Sequence, residues 1–348
     1  MRIAITLTQV PFSRGGAEIH AEALKDQLVA RGHSVDIVTV PFKWYPPEKI
    51  LDCMLAARLT DLTEVNGDKI DLMIAMKFPA YYIPHPNKAL WLLHQHRQAY
   101  DLFGTELSDL FQTEKGRGVA EEIKRWDDEY LRTYVKRFTN SRNVAQRLKR
   151  FNGIDSTALH VPLNRPGDFR PGPFGDYVFY PGRFDRIKRQ HLLIDAIKRT
   201  PLPLKVVLIG STDSLYGREL RSMVSEDREL RDRVSILGLV SEEEKYSLYS
   251  NCAAVYNGVL DEDYGYVTIE AFYSGKPVIT HVDSGGPLEF VEHGKNGWIT
   301  PASTPALTAC LTEISLGRAP LRAMGHQARE TILDANLSWD HVISSLLG

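Results

Sequence analysis

Cysteine is scarce: Cys53, Cys252 and Cys310 are the only three in 348 residues, odd in number and far apart. Their number and spacing exclude a disulfide scaffold and any CxxC zinc or redox site, and fit a reducing compartment. Long apolar runs are missing too, since no stretch approaches the roughly 20 residues a membrane helix needs. The opening MRIAITLTQV reads as an immediate first strand. Low-complexity tracts and charged tails are absent, and 43% hydrophobic with 25% charged residues describes an ordinary ordered globular chain. A net charge of −2 gives no footprint for nucleic acid. Residues 115–150 carry a local cationic excess, for which a solvated helical face is the favoured reading and contact with an anionic membrane surface the alternative. The expectation is a cytoplasmic protein, at most peripheral at the inner membrane face, with its oligomeric state left open.

What is present is a steady alternation of short Val-, Ile- and Leu-rich runs with helical patterns, which argues for parallel sheets flanked by helices. RIAITL, VDIVTV, DLMIAM and ALWLL are strands, and between the first two AEIHAEALKDQLVARG sets Ala17, Ala21, Leu24 and Leu28 on one stripe before Gly32. A second series, YVFYP, LKVVLIG, RVSIL, AAVYN, PVITHV and WIT, follows the Pro- and Gly-rich linker NRPGDFRPGPFGD. Helices are expected near 188–199, 216–226, 242–251, 266–274 and 286–293, with two more closing the chain. The length exceeds one hydrophobic core. The expected fold class is therefore α/β, two Rossmann-like doubly wound parallel-sheet domains facing a central cleft: 1–165, then 166–335. A terminal helix over 336–348 remains, and its return to the first domain is left open.

In such sheets ligands collect beyond the carboxyl ends of the strands, where loops enter helix N-termini. Four segments fall there. DEDYGYVTIEAFYSGKPVI places Glu262 and Glu270 eight positions apart across a loop and the start of a helix. The unpaired amides of that first turn suit phosphate or sugar oxygens, and the carboxylates can accept hydroxyl hydrogen bonds. Glu270 stands among Ile269, Ala271 and Phe272, so it is expected to face a cleft or the interior rather than bulk water. Arg183 and Lys188, five residues apart in YPGRFDRIKRQ, can converge on a diphosphate, one as a planar fork and the other as a point charge. SRGGAE, residues 13–18, brings Gly15 and Gly16 to the turn after the first strand, where their backbone can approach a ligand closely. It is not GxGxxG, which argues against a nicotinamide or flavin oxidoreductase. LLHQHRQAYD follows ALWLL and offers His94 with Arg97; His96 competes, because alternation points it to the same face.

DSGGP, residues 283–287, sets two further glycines between strand and helix, with Glu289 following, and is expected to support the loop that carries Glu262. Asp261, Glu262 and Asp263 spell an acidic triplet of the kind that holds a divalent metal against a diphosphate. A metal is not expected here, since Arg183 and Lys188 already supply positive charge.

Taken in order, these segments resemble the retaining GT-B glycosyltransferases of family 4, the glycosyl transferases group 1. PGRFDRIKRQHLLIDAI is similar to that family's diphosphate-binding segment, DEDYGYVTIEAFYSGKPVI to its E-x7-E segment, and DSGGPLEFVEHGKNGWI to the glycine turn that follows. The resemblance implies transfer of a hexose from a UDP- or GDP-linked sugar to a glycan, lipid-linked or small-molecule hydroxyl, with retention, no metal and no cofactor. Glu270 would then bind the ribose, Glu262 the hexose, Arg183 and Lys188 the diphosphate, and Gly15 and Gly16 would approach that phosphate. The backbone of Tyr264, Gly265, Tyr266 and Val267 would hold sugar and phosphate oxygens. His94 would sit near the reacting carbon, and an HxxR segment of polysaccharide members favours it over His96 and adds Arg97 on the acceptor side. Two departures stand out: Arg189 where the family usually has Gly, which would strengthen phosphate binding, and LIGSTDS, which lacks a second glycine and leaves the nucleobase open. A nucleotide-sugar epimerase, a glycan phosphorylase and a non-catalytic sugar-nucleotide binder are the alternatives.

Overall fold

The computed structural model describes every residue except Arg14 and Leu202. Two compact units divide the chain, Met1–Pro162 with Ser338–Gly348, and Leu163–Leu337. In the first unit the chain runs β1 (Arg2–Gln9), α1 (Gly16–Ala30), β2 (Ser34–Pro41), α2 (Glu48–Leu59), a hairpin of β3 (Glu64–Val65) and β4 (Asp68–Lys69), β5 (Leu72–Lys77) and β6 (Lys88–His94). It continues through α3 (Glu114–Tyr130), β7 (Lys136–Thr139), α4 (Arg142–Asn152) and β8 (Thr157–Ala158). Six strands form one parallel sheet in the order β2-β1-β5-β6-β7-β8. Central strands are buried on both faces, which is why RIAITL and ALWLL read as continuous apolar runs instead of alternating ones.

The second unit holds β9 (Tyr177–Pro181), α5 (Gln190–Lys198), β10 (Lys205–Ile209), α6 (Leu215–Glu226), α7 (Arg228–Arg233), β11 (Val234–Gly238), α8 (Glu242–Asn251) and β12 (Ala254–Tyr256). It ends with α9 (Tyr266–Tyr273), β13 (Val278–His281), β14 (Gly297–Thr300), α10 (Thr304–Ser315) and α11 (Leu321–Asp334). Its sheet is again parallel, ordered β11-β10-β9-β12-β13-β14. Val178, Val206, Leu208 and Ile279 pack from the sheet against Ile194, Ile197, Leu307 and Leu311 of α5 and α10. The linker 164–176 is fastened to this unit: Lys276 Nζ donates to the carbonyls of Gly172 and Pro173 at 3.0 and 2.6 Å.

A last helix, α12 (Trp339–Leu347), belongs to the first unit. Trp339 meets the buried Trp91 edge-on at 6.3 Å, Asp340 pairs with Arg31, and Lys136 Nζ donates to Leu347 O at 3.2 Å. Among the described residues no helix is long and apolar enough to cross a membrane.

Several expectations need correction. Residues 286–293 form no helix, only a 3₁₀ turn over Gly286–Glu289, because Gly285 enters it with φ +68° and Pro287 adds no amide to it. Three helices close the chain instead of two, since Pro320 separates α10 from α11 before α12 begins. Helix α7 was not anticipated although Asp227 caps it, its carboxylate accepting from the amides of Glu229 and Leu230. The β3–β4 hairpin was likewise legible, as Asn66 and Gly67 both take the positive φ of a type I′ turn. Strands β7 and β8 span only four and two residues, too few to show a pattern.

One buried polar knot organises the first unit. Asp127 on α3 is fully buried and accepts from the hydroxyls of Tyr81, Tyr82 and Tyr100 at 2.8, 2.6 and 2.7 Å. Burial lifts its carboxyl to about 6, while the three hydroxyls pull the other way. A proton held more tightly in the folded chain stabilises the fold at low pH: the contribution is complete below the unfolded value near 4 and is lost as pH rises through about 6. Relative to Asp127→Asn, the wild-type protein should therefore lose on the order of 2 kcal/mol between about pH 4 and 6.5. Urea melts across that range would show it, and parallel pH slopes for the two proteins would mean that Asp127 does not titrate there.

Candidate active site

In the second unit the loops leaving β9, β12 and β13 gather at one edge of the sheet. After β9 the chain makes a 3₁₀ turn over Arg186–Lys188, capped by Asp185, whose carboxylate accepts from Ile187 N at 3.1 Å. Tyr180 Oη donates to Lys188 O at 3.0 Å and fixes the end of that turn. Lys188 Nζ then reaches Glu262 Oε2 at 2.6 Å, with both side chains about one-fifth exposed. An ammonium has three donors, and this contact occupies one. Arg183 stands apart, exposed, its guanidinium meeting no partner among the described residues.

Arg189 adopts φ +55°, a left-handed conformation that a non-glycine residue takes at a cost. Its guanidinium forms a two-pronged pair with Asp283, 2.8 and 2.7 Å, which offsets that cost and holds the Asp283 carboxyl below its usual range. Arg189 is thus committed to Asp283, and the expectation that it strengthens phosphate binding is replaced by a structural role: it joins the β9 loop to the β13 loop.

The β12 loop is built onto the same support. Leu260 N donates to Ile187 O at 2.9 Å, Asp261 N to Asp283 O at 2.8 Å and Glu262 N to Ser284 O at 2.9 Å; Gly286 N returns to Glu262 O at 2.8 Å. DSGGP therefore does buttress the loop that carries Glu262. A Cβ on Gly286 would fall 2.5 Å from the carbonyl oxygen of Tyr264, so only glycine allows this approach. Gly265 turns the chain into α9 with φ +91°, and Tyr266 and Val267 place their amides in the first helical turn. Helix geometry offers those amides no carbonyl partner and adds the positive end of the helix dipole.

One turn further along α9, Glu270 is 16% exposed. Its Oε2 accepts from Tyr249 Oη at 2.5 Å, and Lys245 Nζ lies 3.6 Å from Oε1. Burial raises its carboxyl above the ordinary value, against the pull of Lys245 and the Tyr249 hydroxyl. Neither partner was visible beforehand, since both come from α8 through tertiary packing. Among the described residues no three His, Cys, Asp or Glu side chains gather as metal ligands.

In the first unit Gly15 and Gly16 open α1 at the carboxyl end of β1, while Arg14 between Ser13 and Gly15 lies outside the described residues. Gly15 N donates to Glu18 Oε2 at 2.7 Å. Its backbone is extended, and an added Cβ would meet only that oxygen, at 3.6 Å, so internal packing does not require glycine there. His94 ends β6 with Nδ1 2.6 Å from Gln95 O. His96 lies instead among Phe42 and Phe78, ring centroids 5.8 and 5.0 Å away, and burial drives its imidazole down to about 3. It is part of an aromatic cluster. Arg97 is held by Asp101, at 2.8 and 2.6 Å, and Asp101 also faces Arg147 at 3.5 Å.

Residues 174–331, nearly the whole second unit, match the model for glycosyl transferases group 1. The alpha-1,3/1,6-mannosyltransferase ALG2 of Dictyostelium discoideum is 29% identical over 65% of the chain. The chain spans about 60% of that relative's length. Among solved structures, sucrose-phosphate synthase from Thermosynechococcus elongatus superposes with a TM-score of 0.79 at 20% identity, covering 98% of this chain and 96% of that one. Anabaena HepE, solved with UDP and glucose, gives 0.70 at 19% identity over 99% and 100%.

Loss of the Tyr249 hydroxyl takes away a donor to the ionised form of Glu270 without altering its burial. In Tyr249→Phe the Glu270 carboxyl should titrate at higher pH than in the wild type, followed by carbon NMR of labelled glutamate. An unchanged or lower midpoint would show that this hydrogen bond does not govern the carboxylate.

Proposed function

We propose that this chain, whose fold is GT-B, is a group 1 glycosyltransferase that moves a hexose from a nucleoside diphosphate sugar to an acceptor hydroxyl with retention of anomeric configuration. The contact between Lys188 and Glu262 carries the reading. It sets a cation for phosphate and an acceptor for sugar hydroxyls within one hydrogen bond of each other, beside the first turn of α9. UDP and glucose in the HepE structure, and the hexose transfer named in the ALG2 relative, are the chemistry proposed here.

In this mechanism the leaving group is a nucleoside diphosphate, and negative charge grows on its β-phosphate as the glycosidic bond breaks. Lys188 and Arg183 meet that charge, and the α9 amides of Tyr266 and Val267 add fixed dipoles that need no reorganisation. Glu262 accepts from hexose hydroxyls, with Tyr264 and Gly265 supplying backbone contacts, and Glu270 accepts from the ribose. For that role Glu270 must be ionised, which Tyr249 and Lys245 favour. Gly15 and Gly16 approach the phosphate with backbone alone, giving a reason for glycine at a position where packing demands none. His94 presents its imidazole to the hexose, and Arg97, oriented by Asp101, serves the acceptor side. No carboxylate acts as nucleophile; the acceptor enters on the face the diphosphate leaves, its proton passing to a phosphate oxygen. Neither a metal nor a cofactor is part of the proposal, and the setting is cytoplasmic.

Replacement of Lys188 by Ala should lower turnover on the order of 100-fold or more while leaving the thermal transition close to wild type. The measurement pairs donor turnover with circular dichroism across a panel of nucleoside diphosphate sugars, the anomer of the product being read by NMR. Turnover near the wild-type rate would remove Lys188 from the mechanism. An inverted product would remove the same-face route, and phosphate-dependent glycan cleavage would favour a phosphorylase.

A further inference from the structure

The first unit contains a cavity of about 690 Å³ that the reaction does not use. It lies at the amino ends of the strands: Lys88 begins β6, Thr133 precedes β7, and Thr63 O accepts from Ile70 N, two residues before β5. His94 ends the same strand, so at about 3.3 Å per residue the cavity is roughly 20 Å from that edge of the sheet.

Two cations face this space. Arg58, in the last turn of α2, is half-buried with its guanidinium 5.1 Å from the ring centre of Tyr130. Lys88 is half-buried as well, its ammonium 4.3 Å from the ring centre of Tyr134 and donating to Thr133 Oγ1 at 2.7 Å. Ring faces and the α2 carboxyl end steady these charges but do not neutralise them. Among the described residues neither cation meets a carboxylate within ion-pair distance. Burial and the nearby Arg58 charge both hold the Lys88 ammonium below its ordinary value, so the two groups oppose one another.

Two carboxylates also line the cavity. Asp61 is exposed and turned onto its own loop, accepting from Thr63 N at 2.8 Å and Thr63 Oγ1 at 2.7 Å. Glu129 is exposed on α3. The aliphatic side chains of Leu59, which lines the cavity, and of Val65 and Val135, each two residues beyond a lining threonine, are 75, 52 and 91% exposed.

We propose that this cavity binds a phosphate monoester, with Arg58 and Lys88 as its two cationic contacts. A phosphate monoester carries about −1.5 to −2 charge at neutral pH, which matches two facing cations better than a single carboxylate would. Arg58 supplies a planar fork for two of its oxygens and Lys88 a point charge for a third. The phosphate is either free in solution or the headgroup of a lipid, and the exposed aliphatic residues beside the cavity suit the second source. The site stands independently of the reaction proposed above.

Because phosphate would also reach Arg183 and Lys188, the test must report locally. Hydrogen–deuterium exchange is followed over residues 57–64, 83–90 and 129–135 with two probes, inorganic phosphate and phosphatidylcholine vesicles containing phosphatidic acid. Protection of these segments by inorganic phosphate identifies a free phosphate ligand, and protection by the vesicles alone identifies a headgroup. In either arm Arg58→Gln and Lys88→Gln should each weaken the apparent affinity about tenfold, while Glu129→Gln should tighten it. Melting curves establish that each variant is folded, and the wild-type measurement needs no variant at all. Failure of both probes to protect the wild-type segments would overturn the proposal, as would protection that survives in both Arg58→Gln and Lys88→Gln.

Discussion

Parallel strand pairing is the constraint from which the rest of the structure follows. In each unit every strand of the six-stranded sheet runs the same way, so every carboxyl end delivers its loop to one edge. Strands that belong to distant parts of the chain become neighbours there. Lys188 leaves β9 and Glu262 leaves β12, 74 residues later, yet the pairing of Val178 with Ala254 and of Phe179 with Val255 sets those loops side by side. The same geometry carries the β13 loop beneath the β12 loop, with Val255 and Tyr256 against Val278 and Ile279.

On that frame the second unit separates charges that position from charges available to a ligand. Arg189 and Asp283 are bound to each other through two hydrogen bonds and join two loops. Lys188 and Glu262 meet through a hydrogen bond that occupies one of the ammonium's three donors. Arg183 is exposed. Glu270 lies deeper, where burial opposes its charge and Tyr249 with Lys245 favour it. The proposed transfer from a diphosphate sugar calls for a firm backbone beneath such side chains, because the charge to be stabilised appears only as the bond breaks.

The first unit shows the same principle at its two ends. Toward the carboxyl ends of β1 and β6 stand Gly15, Gly16 and His94. Toward the amino ends lies the cavity with Arg58 and Lys88, whose charges are steadied by rings instead of acids. The buried Asp127 with its three tyrosines ties α3 to the segments after β5 and β6.

Much of this was legible beforehand. Strands and their order of appearance follow from apolar runs, because burying a parallel sheet on both faces demands them, and the positions of Lys188, Glu262 and Gly15 beyond strand ends, with Glu270 in the helix that follows, come from the alternation of elements. The Asp227 cap and the Asn66–Gly67 turn were also written locally, though they went unread. Partnerships are another matter. That Arg189 would be spent on Asp283, that Glu270 would meet Tyr249 and Lys245, that His96 would sink among Phe42 and Phe78 while His94 stays at the strand end, and that residues 286–289 would tighten into a 3₁₀ turn beneath Tyr264 all depend on which segments touch. Local chemistry along a chain sets propensity and periodicity; which charge is neutralised, and by whom, is settled only when packing brings remote side chains within a few ångströms, since both desolvation and hydrogen bonding act at that range.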